Sequence, residues 1–207
     1  MSRILYIQAS PRYERSHSKS VADVFIQTYL EKNPSHEVST LHLFQRDLPS
    51  LDADTLQGKY NIMHGQSHSE EDKARWRSVE AVIEEFTAAD KYVFAVPMWN
   101  FSIPYRLKHY IDVIVQPSYT FAVTAEGYQG LVQGKAYVSY ARGGAYPTGS
   151  GLEHLNYQSS YLEMILGFMG ITDLERTVVE PTLGDPKDRD ESKRKAIEQA
   201  KDLAAGF

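Results

Sequence analysis

Short apolar runs alternate along the whole chain with longer stretches whose apolar residues recur every three or four positions. Ile4 to Gln8 has the β-branched and aromatic content of a buried strand. Over Ser18 to Lys32, Val21, Phe25 and Tyr29 recur at i+4 with Ala22, Ile26 and Leu30 beside them, which predicts a helix that Asn33-Pro34 ends. Glu37 to Leu43 predicts a second strand, and the looser stretch 44–70, with Pro49, Gly58 and Gly65, is expected to be helical in part around 52–64. Residues 70–89 predict a helix with Trp76, Val79, Ile83 and Phe86 on one face, followed by a third strand from Lys91 to Val96. Pro104 to Val115 predicts the next helix, with Pro104 at its first position and Leu107, Tyr110, Ile111 and Ile114 as its stripe. Residues 117–134 carry Gly127, Gly130 and Gly134 among aromatics, the pattern of an extended loop or a hairpin. Ala136 to Ala141 is a fourth strand, Tyr157 to Met169 a helix capped by Gly170, Asp173 to Glu180 a fifth strand, and Lys187 to Ala205 the last helix.

Five strands interleaved with helices predict one α/β domain over residues 1–207, built on a parallel sheet covered on both faces. Right-handed crossovers leave two common doubly wound orders, the dinucleotide-binding one and 2-1-3-4-5. Ligands of such sheets bind outside the carboxyl ends of the strands, at the switch point. In the 2-1-3-4-5 order, the loops after the first, third and fourth strands meet there. Those loops are 9–18, 97–101 and 142–151, the three most unusual in the chain.

Composition narrows the chemistry. The 207 residues include no cysteine, which excludes disulfides, thiolate nucleophiles and Cys-ligated metals and suits a reducing compartment. The formal charge of −5 is mixed along the chain without a basic block, so nucleic acid and anionic membrane are not expected as partners. No segment approaches the roughly 18 apolar residues of a membrane span. The N-terminus reads as a strand rather than a signal peptide, so a cytoplasmic protein is expected.

The loop 9–18 (ASPRYERSHS) contains neither GxGxxG nor GxxxxGK[ST], and neither motif occurs elsewhere. Instead, Ser10, Ser16 and Ser18 precede a helix, with Arg12 and Arg15 nearby. Serines there either cap the helix or add donors to an anion site at its N-terminus. The loop after the third strand reads Pro97-Met98-Trp99-Asn100-Phe101. Such residues are either core or interface, or the lining of a flat aromatic ligand whose heteroatoms meet backbone N–H groups and the Asn100 amide. Pro97 stands where a receiver domain would carry its phospho-accepting aspartate, so that reading is poor. Gly143-Gly144 would let backbone approach a ligand closely. His64 and His68 are four apart, but Gly65 lies between them and no third ligand is evident, so no metal site is expected. No GxSxG or HExxH occurs. The run Lys187 to Lys195 reads as a solvated helix face.

Together SPR…SHS, PMWNFSIP, PSYTF at 117–121 and LGFMGI at 166–171 resemble the FMN-dependent NADH-azoreductases, also described as FMN-dependent NADH:quinone oxidoreductases. The resemblance runs in order over nearly the whole chain. It implies a flavodoxin-like three-layer sandwich with a five-stranded parallel sheet in the order 2-1-3-4-5. It also implies a homodimer with one FMN per subunit, and NADH or NADPH as co-substrate. By that match, Ser10, Ser16, His17 and Ser18 would hold the FMN phosphate, and Pro97, Met98, Trp99, Asn100 and Phe101 would line the isoalloxazine. Gly143 and Gly144 would approach the pyrimidine edge. Phe121 and Phe168 match aromatic positions that wall the substrate pocket from the partner subunit. Two departures bear on substrate range: Ala141 stands where the family's commonest form has Ser, and Tyr146 lies near where its bacterial form often has His. The activity implied is two-electron, ping-pong reduction of quinones and azo compounds by NAD(P)H, with the chemistry carried by FMN rather than by a catalytic side chain. The rival readings are an FMN-binding electron carrier without turnover of its own and an NAD(P)H-dependent flavin reductase.

Overall fold

Apart from its ends and the buried Ser139, each central strand is an apolar run because both of its faces are buried. This holds for β1 (Arg3–Gln8), β3 (Lys91–Pro97) and β6 (Lys135–Ala141). A computed structural model describes residues 2–207 of the protein. β2 (Glu37–His42) and β7 (Asp173–Val179) are the edges of a five-stranded parallel sheet of order β2-β1-β3-β6-β7, the 2-1-3-4-5 order expected. The register runs Leu41, Ile7, Phe94, Val138, Arg176 across the five strands. The segment 117–134 holds a hairpin, with β4 (Phe121–Thr124) antiparallel to β5 (Gly127–Gly130).

Six α-helices join these strands among the described residues: α1 (His17–Lys32), α2 (Ala53–Met63), α3 (Glu70–Thr87), α4 (Tyr105–Ile114), α5 (Tyr157–Met169) and α6 (Pro186–Gly206). Their starts are written locally. Ser16 caps α1 through Lys19 N–H, Asp52 caps α2 through Thr55 N–H, and Ser69 with Asp72 forms a capping box on α3. Gly170, at φ 111°, ends α5 as expected. Pro104 departs from expectation: it is the N-cap of α4, not its first helical residue. Its ring fixes φ at −61° but leaves ψ free at 146°, and its carbonyl accepts the first helical bonds from Leu107 and Lys108.

Alternate residues of the same strands feed two cores. Leu5, Ile7, Phe94, Val96 and Val138 join α3, α4 and α5 in one, while Ile4, Tyr6, Val93, Ala95 and Tyr137 join α1 and α6 in the other. In the second, Ala196, Ala200 and Ala204 form a buried small-residue stripe on α6, against Val21, Ala22 and Phe25 of α1. Phe25 stacks on Tyr137 at 3.7 Å and meets Phe207 edge-on at 5.0 Å.

The hairpin is seated on the end of α5. Val132 N–H donates to Met169 O at 2.9 Å, and the backbones of Gly130 and Gly170 approach so closely that a Cβ on Gly130 would lie 2.3 Å from Gly170 N. Gly130→Ala is therefore expected to lower stability by about 1–3 kcal/mol, the cost of overpacking a closed contact. Urea unfolding checks this, and an unchanged midpoint would contradict the contact.

Candidate active site

Backbone hydrogen bonds stitch the carboxyl ends of the strands together. Ala9 N–H donates to Ala95 O (3.0 Å), Met98 N–H to Ala141 O (2.7 Å) and Arg142 N–H to Val179 O (3.0 Å). The loops 9–18, 97–101 and 142–151 consequently leave the sheet side by side.

In the first loop, Ser10, Ser16 and Ser18 are all buried and His17 is half-buried. Ser16 Oγ accepts from Lys19 N–H at 3.3 Å and lies 3.2 Å from Ser18 Oγ, while Ser10 Oγ accepts from Arg12 N–H at 3.3 Å. The first intrahelical bond of α1 runs from Ser20 N–H to Ser16 O. The N–H groups of His17 and Ser18 precede it and point out of the helix end, unspent on the helix ladder. Capping and anion-binding capacity thus coexist on this loop, because the cap uses only the Lys19 N–H. His17 is held below the ordinary histidine value, first by burial and then by Lys193, Arg12 and Arg189, with Asp190 opposing. Lys193 and Arg189 come from α6. The sequence reading of 187–195 as a solvated face missed that this helix brings positive charge to the α1 N-terminus, a contact no local pattern encodes.

The stretch after β3 closes into a tight turn. Trp99 N–H and Ser102 O pair at 2.9 Å, as do Ser102 N–H and Trp99 O, with Asn100 at φ 47° and Phe101 at φ 68° between them. Two successive positive φ values mark a type I′ turn, a shape that favours Asn-Gly, not Asn-Phe. The turn lifts Asn100 and Phe101 to the surface, and the Asn100 carboxamide makes no hydrogen bond among the described residues. Pro97 and Met98 are half-buried beneath it. Trp99 packs instead with Phe44 (5.6 Å) and Tyr105 (6.1 Å). Arg106 holds the Phe44 segment in place by donating to Leu43 O and Arg46 O, and His109 Nε2 lies 2.9 Å from Pro49 O.

The glycine loop hangs on Arg142, which is 5% exposed. Its guanidinium donates to Gln158 Oε1 (2.8 Å), Ser159 Oγ (3.1 Å) and Glu180 Oε2 (3.1 Å). Gln158 in turn donates to Val96 O at 3.0 Å, and Glu180 accepts Tyr146 N–H at 3.3 Å. Gly143 lies against Leu183 and Gly144 against Tyr146, and the Tyr146 ring meets Phe101 edge-on at 6.3 Å.

Phe121 and Phe168 are brought together at 4.8 Å, with Tyr128 beside both. They are not brought to the three loops. α5 begins at the carboxyl end of the sheet, where Gln158 binds Val96 O, and Phe168 is ten residues further along, about 15 Å down the helix axis. A cleft of about 420 Å³ adjoins the turn, lined by Trp99, Asn100, Ser102, Ile103, Tyr105, Lys108 and Tyr161. Tyr105, Lys108, Tyr161 and the nearby Phe44 were not picked out in the sequence. Tyr105 stands beside the noted Pro104, and Tyr161 lies on a visible Tyr157, Tyr161, Met164, Phe168 stripe; Phe44 gave no signal. His64 and His68 each turn Nδ1 to within 2.8 Å of a backbone oxygen, and no cluster of three or more potential metal ligands occurs among the described residues.

A family model described as a flavodoxin-like fold matches residues 2–204. The chain is 50% identical, over the full length of both proteins, to an FMN-dependent NADH:quinone oxidoreductase of Nitratidesulfovibrio vulgaris (strain DP4). The chain belongs to the FMN-dependent NADH:quinone oxidoreductase family. Solved structures agree with the family's flavodoxin-like fold. An azoreductase from Bacillus anthracis str. Sterne superposes with a TM-score of 0.91 at 30% identity, covering 100% of each chain. An FMN-dependent NADH-azoreductase from Bacillus anthracis str. Ames Ancestor, solved with FMN, superposes at 0.90 with 26% identity, covering 99% of this chain and 98% of that one. Among the described residues of this family member, no helix is long and apolar enough to cross a membrane.

Two outcomes are expected from this geometry. Arg142→Met strands the Glu180 carboxylate and frees Gln158 and Ser159, so stability should fall by about 3 kcal/mol in urea unfolding. Lysine reaches only one of the three partners, so full recovery in Arg142→Lys would contradict the network. For His17, whose folded-state value is depressed, the unfolded chain binds more protons below its ordinary value of about 6.5. Stability should therefore fall as pH drops from about 6.5 toward the folded-state value. Unfolding midpoints compared above and below that window should show a smaller pH effect in His17→Gln than in the unsubstituted protein.

Proposed function

We propose that the protein is an FMN-dependent oxidoreductase that uses NADH or NADPH to reduce quinones and azo compounds in a ping-pong cycle, as a cytoplasmic homodimer of three-layer flavodoxin-like subunits. One observation carries this reading. A helix N-terminus with N–H groups outside the helix ladder, a surface turn whose carboxamide makes no hydrogen bond among the described residues and a glycine loop all open at the switch point of one parallel sheet. The donor set suits a phosphate: two unspent N–H groups, three serine hydroxyls and the cations around His17. The names of the relatives support the same activity.

Bound there, FMN would supply the hydride and electron-pair chemistry, which is why the loops need no acid-base triad. Ser10, Ser16, His17 and Ser18 would hold its phosphate. Pro97, Met98, Asn100, Phe101, Gly143 and Gly144 would border its ring system. Trp99, packed on Phe44 and Tyr105, would brace the turn from behind and face the cleft beside it. Pro97 and Pro104, on either side of the loop, and the paired turn keep these groups fixed before a ligand arrives.

Phe121 and Phe168 would wall the acceptor pocket of a second copy, since their own site is at the other end of α5. Met164 on α5 is 56% exposed, and Val123 and Tyr128 on the hairpin 70% and 72%, so an exposed apolar surface adjoins these two rings. A second copy of the chain covers such a surface most simply.

Purified protein should be yellow, with about one FMN per chain, and should bleach when NADH is added without oxygen and recolour with benzoquinone. A colourless protein that takes up no added FMN would refute the reading. Ser10→Ala with Ser18→Ala, which leaves the Ser16 cap intact, should weaken FMN binding by about ten-fold or more, as two hydrogen bonds to a charged group are lost.

A further inference from the structure

We infer that Lys59 is a positioning residue for the acceptor pocket: through Gln116 it holds the turn that sets the place of Phe121. This rests on the proposed role of Phe121 and reaches a helix, α2, to which no motif pointed. Lys59 is half-buried, and its ammonium pairs with no carboxylate among the described residues. Its Nζ donates to Gln116 Oε1 at 2.7 Å and lies 5.7 Å from the centre of the Trp76 ring and 5.9 Å from that of Tyr60. The two rings offset part of the missing counter-charge. Burial still holds the amine below the ordinary lysine value. A methionine would fill the same space without desolvating a cation. Gly58 makes the placement possible. A Cβ there would stand 3.0 Å from Asp72 Cβ, so α2 lies close on α3 and carries Lys59 to Trp76.

Gln116 is buried at the centre of the turn after α4. Its N–H donates to Thr120 Oγ1 (3.1 Å), and its carbonyl accepts from Thr120 N–H (3.1 Å) and Tyr119 N–H (3.2 Å). Its Nε2 donates to Asp112 O at 2.8 Å. All of these partners lie within residues 112–120. Lys59 is the one side chain from outside that segment bonded to Gln116 among the described residues. The other ties to the turn, from Trp76 and Glu80, end on the Tyr119 hydroxyl. The turn leads straight into Phe121. Thr120 O accepts from Leu131 N–H (3.0 Å) and Phe121 O from Ser118 N–H (2.7 Å), so the backbone on both sides of Phe121 is fixed. Without Lys59, the Gln116 carboxamide oxygen is buried with no donor. Ser118 stands at φ 69°, and a loosened Gln116 would let that strain relax and shift the ring that follows.

The test uses the whole FMN-loaded protein in steady-state turnover with NADH and benzoquinone. Lys59→Met should raise the KM for benzoquinone about five-fold, the worth of one hydrogen bond. The kcat and the FMN content per chain should stay unchanged, because binding in the pocket is altered and the chemistry is not. A merely structural role would lower stability without moving KM. Phe121→Leu should raise KM by itself, and adding Lys59→Met to it should raise KM no further, since both act through one ring. Lys59→Arg, which keeps a cationic donor, should restore most of the affinity. Lys59→Gln, too short to reach Gln116, should match Lys59→Met and serves in its place if the methionine variant does not fold. An unchanged KM in Lys59→Met or Lys59→Gln, or KM increases that multiply in the double variant, would overturn the assignment. An unsubstituted protein that consumes no NADH with benzoquinone would instead overturn the proposed function itself, so the two failures are distinct.

Discussion

The buried guanidinium of Arg142 is the fixed point of the molecule's carboxyl end. A charge in that position survives only if its donors are satisfied in several directions. The partners it recruits lie on the first turn of α5 and at the exit of β7, and Gln158 passes the link on to the end of β3. The same Glu180 oxygen that balances its charge also fixes the backbone at Tyr146. Electrostatic necessity in the core thereby becomes geometric order in a glycine loop that would otherwise have many conformations.

The turn after β3 is held in the opposite way, against its own preference. A phenylalanine at positive φ costs about 1–3 kcal/mol, and it persists only where its surroundings over-determine it. Here two backbone hydrogen bonds close the turn, Met98 ties its base to β6, and Trp99 is packed between two other rings. Strain gathered at a surface-exposed ring and amide has no structural use to the fold. It makes sense if the orientation of those groups matters to a ligand.

Most of the sheet was legible in the sequence because buried parallel strands are continuous apolar runs and their helices carry clear stripes. The three loops stood out because their residues obeyed neither periodicity. What escaped detection depended on contacts distant in sequence. Phe44 reaches the site only because Arg106, 62 residues later, grips the strand exit before it. Arg142 entered only as the first residue of the loop 142–151, since nothing local reveals that Gln158 and Glu180 surround it. Pro104 was one residue out, because its ring determines one dihedral and not the other. Phe121 and Phe168 were paired by the resemblance and meet in space, but at the far end of the helix, where spacing alone gave no reason to join them.

The alanine stripe of α6 has a consequence beyond packing. Methyl side chains at Ala196, Ala200 and Ala204 let α6 lie close along α1, and the same closeness carries Lys193 and Arg189 toward His17. The local potential at the serine loop is thus set partly by helix separation further down the pair. Widening that separation by a single methylene would dilute the positive field felt by an anion without touching any group that contacts it. Charge at the site is, in this sense, a readout of how tightly two helices mesh elsewhere.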